Sequence, residues 1–252
     1  MLLSLQKGII YGPVRSRRLG RSLGINILPP GRKVCSFNCV YCQYGWAESL
    51  EQNNGKALDW PSTGQVGKAL EEALLRLTEA PDYITFSGNG EATLHPCFPE
   101  MVDAVTGIRN RIATKAKTAI LSNSSLAGEP HIQETLEKLD CKIMKLDCGS
   151  KKTFAGYNRP AEGISLDEIM LSLEKLSAVT IQALFSKGSP GNLKTENVRA
   201  WIERLIAIRP VYVQIYSLDR DAPHGGLRSA SPKDLAVLKA RVNKAGIPAG
   251  FY

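Results

Sequence analysis

Three of the chain's six cysteines fall within eight residues, as Cys35, Cys39 and Cys42 of the run KVCSFNCVYCQYG. In a reducing compartment, thiols clustered this closely are more often metal ligands than disulfide partners. Structural zinc wants four ligands, usually two close pairs. Here a single C-x3-C-x2-C triplet has no Cys or His nearby for the fourth position, and Cys97, Cys141 and Cys148 are scattered through later segments. A zinc site would therefore need a distant ligand. An iron-sulfur cubane held by three thiolates keeps one iron open to an exogenous ligand, and the open iron is where chemistry would occur.

Residues that could serve such a site must be positioned by the rest of the chain, which alternates β-branched runs with amphipathic ones. SLGINIL is a first strand, stopped by Pro29, Pro30 and Gly31, and GQVGKALEEALLRLTEA places Val66, Leu70, Ala73, Leu74 and Leu77 on one helical face. DYITFSG, KTAILSN, CKIMKLD, TIQALFS and VYVQIYSL read as further strands. The helices FPEMVDAVTGIRNRI, HIQETLEKLD, SLDEIMLSLEKLSA, TENVRAWIERLIAI and SPKDLAVLKARVNKAG fall between and after them. Ser165 three residues before Glu168 has the spacing of a capping box. About six strand-helix units result, which predicts an α/β domain with a parallel sheet covered by helices. An open sheet wound on both sides is the alternative topology. Small and polar residues gather where the strands end: SGNGE, SNSS, DCGS, SKGSP and SLDR. In SGNGEATLHP, glycines would let the backbone approach a ligand, and Glu91 could pair with an ammonium group. The neighbouring His95 is read as shaping the turn, and His131 and His224 are isolated.

Thirty-two Lys and Arg against 24 Asp and Glu give a net charge of +8. Four of the arginines (Arg15, Arg17, Arg18, Arg21) lie in RSRRLGR, shortly before the cysteines. That balance suits a polyanion such as tRNA, with a solvated basic turn as the plain alternative. The composition, 43% hydrophobic and 22% charged, excludes a disordered chain. No apolar run approaches the roughly 20 residues that span a bilayer, and the opening residues lack a basic start and a cleavage site, so a cytoplasmic location with no membrane partner is expected. No linker divides the sequence. A single domain over 1–252 is expected, with a basic segment and first strand at 1–30, a cluster loop at 31–46, repeated units at 64–246 and a tail at 247–252.

The stretch CSFNCVYC, with an aromatic before the third cysteine, resembles the signature loop of the radical S-adenosylmethionine (SAM) enzymes. The resemblance implies a partial (β/α)6 TIM-like barrel and a [4Fe-4S] cluster on Cys35, Cys39 and Cys42. It also implies SAM chelating the unique iron, and cleavage of SAM to a 5'-deoxyadenosyl radical that takes hydrogen from substrate. It places Tyr41 beside the adenine and the SAM amino group on Gly88, Asn89, Gly90 and Glu91. That turn departs from the family's Gly-Gly-Glu-Pro pattern by an inserted Asn89 and by Ala92 in place of proline. Ser122, Asn123 and Ser124 are carried over to the ribose or carboxylate of SAM, and Asp147 and Gln182 are nominated as further contacts. Cys148, beside Asp147, is nominated as hydrogen-atom donor or extra ligand. A reductant such as flavodoxin or ferredoxin is implied.

The longer run YGPVRSRRLGRSLGINILPPGRKVCSFNCVYCQYG, with SGNGEATLHP and YNRP, is similar to small radical SAM proteins grouped with the archaeal wyosine-forming tRNA enzymes. Those enzymes carry a second cluster on upstream cysteines, whereas no Cys precedes Cys35. They also hold pyruvate on a lysine, which has no evident counterpart. The expected function is a radical SAM enzyme acting on a tRNA base or other nucleotide. The alternatives are a radical SAM maturase of a peptide, protein or small metabolite and, from another class, a noncatalytic metal-binding module.

Overall fold

The computed structural model describes residues 2–47, 50 and 59–252. Met1 of the expected N-terminal segment, and residues 48, 49 and 51–58 beyond the cluster loop, lie outside the described residues. The strands are β1 (Ile10–Ser16), β2 (Gly20–Ile25), β3 (Tyr83–Phe86), β4 (Lys117–Ser122), β5 (Cys141–Lys145), β6 (Thr180–Leu184), β7 (Ser186–Gly188), β8 (Tyr212–Tyr216), β9 (Leu227–Ser229) and β10 (Ala249–Phe251). Between them run α1 (Thr63–Arg76), α2 (Phe98–Ile112), α3 (Pro130–Glu137), α4 (Lys151–Tyr157), α5 (Leu166–Lys175), α6 (Thr195–Ile208) and α7 (Pro232–Lys244).

The helices begin where their sequences can satisfy the first backbone N–H groups. Ser62 Oγ accepts from Gln65 N at 3.2 Å while Gln65 Oε1 accepts from Ser62 N at 2.8 Å. Ser231 and Asp234 make the same reciprocal pair at α7. Ser165 caps α5 differently from the expected box: its hydroxyl accepts from Asp167 N at 3.3 Å, one residue short of Glu168. Val66, Leu70 and Leu74 bury one face of α1, and Phe98, Met101, Val102, Val105 and Ile108 bury that of α2. The helix α6 ends on Arg209 in the left-handed region, one residue before Pro210.

The main sheet has the order β1-β2-β3-β4-β5-β6-β8-β10, parallel throughout except for the antiparallel pair β1–β2. Each crossover from β2 onward adds its strand on the same side. Right-handed connections of that kind put every helix on one face and leave the other to curl into a lumen. A doubly wound sheet would reverse its order at a switch point, and this one does not. The result is a half-barrel of six strand-helix units with β10 added, its edges β1 and β10 unpaired with each other. All five residues of β6 are buried, as a strand covered on both faces requires.

Three features depart from the sequence-based expectation. RSRRLGR is the turn of the β1–β2 hairpin, so a strand precedes the first one expected. The segment 247–252, expected as a tail, carries β10 paired to β8. A separate antiparallel pair, β7 with β9, lies beside the barrel. Among the described residues no helix is long and apolar enough to cross a membrane.

Trp201 of α6 fixes the outer layer. It is wholly buried, donates from Nε1 to Leu146 O at 2.7 Å, and sets its ring edge-on to Phe185 with centroids 4.9 Å apart. Trp201→Ala, which opens a large cavity and orphans that carbonyl, is expected to cost about 3–5 kcal/mol in urea unfolding.

Candidate cluster and cofactor site

The cysteine loop follows β2 and is held along both flanks by backbone. On one flank Val34 N donates to Asn89 O at 2.9 Å and Glu91 N donates to Val34 O at 2.9 Å, a parallel bridge that lays the loop along the turn after β3. Gly90 permits this. Its φ is +143°, and a Cβ there would lie 1.8 Å from Val34 O. Gly88, at φ +134°, would put a Cβ 2.5 Å from Asn26 Oδ1. Gly90 thus serves a close approach of the turn to the cysteine loop itself, and Gly88 one to the end of β2. The inserted Asn89 is wholly buried and ties the N-terminal segment to this turn, with Oδ1 accepting from Gln6 N at 2.7 Å and Nδ2 donating to Gln6 O at 2.9 Å and Pro29 O at 3.2 Å. On the other flank the YNRP segment receives the loop: Val40 N donates to Tyr157 O at 2.9 Å and Asn38 N to Asn158 O at 3.1 Å.

Two asparagines aim N–H groups at sulfur. Asn123 Nδ2 lies 3.6 Å from Cys35 Sγ and Asn158 Nδ2 lies 3.4 Å from Cys39 Sγ. Phe37 N adds a donor to Cys35 Sγ at 3.5 Å. Burial, then the neighbouring Cys39, pushes the Cys35 thiol up to about 12, against the pull of buried Lys33. Burial and Asp147 push Cys39 up to about 11. These thiols become thiolates only when a cation compensates them, and amide donors at the sulfurs are what a bound iron-sulfur group accepts. The donor set fits such a cluster. Among the described residues no three His, Cys, Asp or Glu side chains converge on a single ion. Ligands to different irons of one cubane need not do so.

Around Cys35 the expected residues come together. Glu91 is buried and accepts four hydrogen bonds: from Thr93 N and Oγ1 at 3.1 and 2.7 Å, Ser122 Oγ at 2.9 Å and Asn123 N at 2.5 Å. Burial raises its pKa and those donors oppose the rise. Its carboxylate joins the ends of β3 and β4, and through Asn123 it reaches Ser36 Oγ at 2.8 Å and Cys35. Ser124 turns away, donating from Oγ to Lys145 O at 3.0 Å.

Around Cys39 a second group forms on Asp147. Its Oδ1 accepts from Leu184 N at 2.8 Å and lies 3.8 Å from Lys145 Nζ, while Oδ2 accepts from Asn158 Nδ2 at 2.7 Å and from the Tyr41 hydroxyl. Cys148 has no exposed surface and donates to Asn158 Oδ1 at 3.3 Å, so the structure gives its thiol a partner but no opening. Gln182 stands apart from the cysteines, bonding Gln214 Oε1 at 3.0 Å and accepting from the Tyr216 hydroxyl at 3.3 Å. His95 bonds Pro61 O at 3.0 Å and Cys97 N at 3.0 Å, within the turn as expected.

Lys145 and Asn158 were not foreseen. Burial alone would lower the Lys145 ammonium, but Asp147 and then Tyr216, whose hydroxyl is 2.6 Å away, raise it above its ordinary value. Its signal in the sequence was a Lys two residues before Asp147 at a strand end, and that of Asn158 was its place in YNRP.

No model of a known protein family matches the chain. It is 31% identical over 220 residues to a UPF0026 protein of Helicobacter pylori, covering 84% of this chain and 67% of that one. To a UPF0026 protein of Synechocystis it is 32% identical over 251 residues, covering 96% and 83%. Among solved structures, TYW1 with a lysine-pyruvate adduct bound is similar at a TM-score of 0.63 and 14% identity, covering 89% of this chain and 73% of that one. Streptococcus suis SuiB bound to S-adenosylmethionine is similar at 0.64 and 14%, covering 91% and 50%. At such identities the likeness is one of fold, the same partial barrel.

Gly90→Ala is expected to destabilise the protein by roughly 2 kcal/mol or more, through strain and a backbone collision, and to lower iron uptake in reconstitution. Thermal melts and iron analysis check it. In metal-free protein, iodoacetamide is expected to label exposed Cys97 well before buried Cys39 and Cys148, read by peptide mass spectrometry.

Proposed function

The chain belongs to the UPF0026 protein family, and we propose that it is a radical SAM enzyme whose cofactor site is the cysteine loop. The observation that carries this reading is the loop's clamping between the glycine turn and YNRP, with amide donors already directed at Cys35 and Cys39. Cys35, Cys39 and Cys42 would hold a [4Fe-4S] cluster. When bound, that group supplies the electron that cleaves SAM reductively to a 5'-deoxyadenosyl radical. The SAM side is assigned to Tyr41, Gly88, Asn89, Gly90, Glu91, Ser122, Asn123, Ser124, Asp147 and Gln182. Within that set Glu91, with four donors already on it, acts chiefly by fixing Asn123 and the turn, and Asp147 by orienting Tyr41 and Asn158. A flavodoxin or ferredoxin is the proposed reductant, the cytoplasm the proposed location, and one domain over 1–252 the proposed unit.

For the substrate, the net charge of +8 supports a tRNA base or other nucleotide. A specific observation favours the second reading, a peptide or small metabolite: three of the four turn arginines are engaged within the fold. Arg17 pairs with Asp219, Arg21 with Glu79, and Arg18 stacks over Tyr216.

Anaerobically reconstituted protein is expected to bind about four irons per chain and to release 5'-deoxyadenosine on reduction with SAM. Cys35→Ala, Cys39→Ala and Cys42→Ala are each expected to abolish that product. Zinc in the anaerobically purified protein with no 5'-deoxyadenosine would favour the noncatalytic metal module instead. Binding to tRNA with a steep salt dependence would restore the nucleic-acid reading, and no binding at low salt would remove it.

A further inference from the structure

The lumen of the half-barrel holds a half-open cavity of about 170 Å³. Its wall is part apolar, from Val14, Leu19, Leu121 and Ile143, and part polar, with Arg18 and the Tyr11, Ser22, Thr85 and Ser87 hydroxyls, and none of its described lining residues is acidic. The hydroxyls are paired with one another, Tyr11 with Ser87 at 2.5 Å and Ser22 with Thr85 at 2.8 Å, and Ser87 Oγ also donates to Thr85 O at 3.3 Å, so each pair keeps at most one O–H free to donate.

Arg18 is the anomaly. The hairpin turn delivers it inward while Arg17 and Arg21 on either side find carboxylates. Its guanidinium carbon lies 4.7 Å from the centroid of the Tyr216 ring, yet among the described residues no carboxylate pairs with it and its buried Nη1 has no hydrogen-bond partner. Lys145 adds a second cation, 5.1 Å from the same centroid, but Asp147 already balances it. A guanidinium at the wall of a cavity without a carboxylate beside it is an unbalanced charge, and an anion in the cavity would balance it.

We propose that this cavity binds a small oxyanion group of the substrate, a carboxylate or phosphate, with Arg18 as its charged partner and one hydroxyl of each pair, Tyr11–Ser87 and Ser22–Thr85, as its neutral donor. At ~30 Å³ per water the cavity holds about six non-hydrogen atoms, enough for a phosphate or a short carboxylic acid and too little for a base with its sugar. Arg suits both groups because its planar fork offers two parallel N–H donors. Calling the occupant a substrate rests on the radical SAM reading, whereas the subsite itself does not.

The test is calorimetric titration of the full chain with inorganic phosphate and with propionate, in metal-free and cluster-loaded protein. Wild-type protein is expected to bind at least one probe saturably. Phosphate alone identifies a phosphoryl group and propionate alone a carboxyl group. Arg18→Gln is expected to weaken binding at least tenfold. Without probe it should melt at the wild-type temperature or above, whereas a brace for Tyr216 would melt lower. Arg18→Lys, which keeps the charge, should retain part of the affinity. Wild-type protein that binds neither probe, or an Arg18→Gln variant that binds as tightly as wild type, overturns the proposal. Because metal-free protein suffices, failure to form 5'-deoxyadenosine with retained probe binding removes the radical reading and leaves the subsite. The opposite result removes the subsite alone.

Discussion

Burial of thiols governs the carboxyl rim of this barrel. A loop that takes Cys39 out of water and leaves Cys35 and Cys42 only partly exposed cannot be held by side-chain packing alone, because its own peptide groups also need partners. The Val34–Gly90 bridge on one flank and the contacts to Tyr157 and Asn158 on the other supply them. From this follow the missing Cβ atoms after β3, the buried Asn89, and the convergence of segments 120 residues apart on one rim. The loop behaves as an additional short strand laid across the mouth of the sheet.

The same constraint explains why the two buried carboxylates are so heavily hydrogen-bonded. Glu91 and Asp147 each lie beside one sulfur, and a buried carboxylate without donors would give up its charge. Each is instead surrounded by amides and hydroxyls that themselves touch the cysteine loop: Asn123 between Glu91 and Cys35, Asn158 between Asp147 and Cys39. The arrangement is near-symmetric, with a carboxylate orienting an asparagine and the asparagine addressing a sulfur. Outer partners of this kind set the orientation and electron demand of a metal ligand as much as the ligand does.

Much of the fold was legible because its signals are local. FPEMVDAVTGIRNRI and TENVRAWIERLIAI coincide with α2 and α6, since Pro and apolar spacing mark both their ends and their buried faces. Strand-helix alternation implied the parallel sheet but left a doubly wound order open, and the unreversed order β2-β3-β4-β5-β6-β8 decides for the barrel that the family resemblance implied. β1 escaped notice because an edge strand interrupted by Gly12 and Pro13 lacks clear alternation, and β10 because three residues carry no period. At the site, residue types at strand ends were readable, but their division of labour was not. That Glu91 joins β3 to Asn123, that Asn89 anchors the N-terminal segment, that Asn158 reaches Asp147 and that Lys145 reaches Tyr216 depend on contacts across 11 to 83 positions that no spacing encodes.

The half-barrel is unclosed between β1 and β10, and side chains reach across from its first hairpin: Arg17 to Asp219, both more than half exposed, and Arg18 over the Tyr216 ring at the end of β8. An exposed ion pair holds with only about 0–1 kcal/mol, and salt weakens it further. Everything else around the lumen is continuous hydrogen-bonded sheet. The wall is therefore joined there by side chains and not by a backbone ladder, so the lumen keeps its shape through the curvature of the sheet and not through closure.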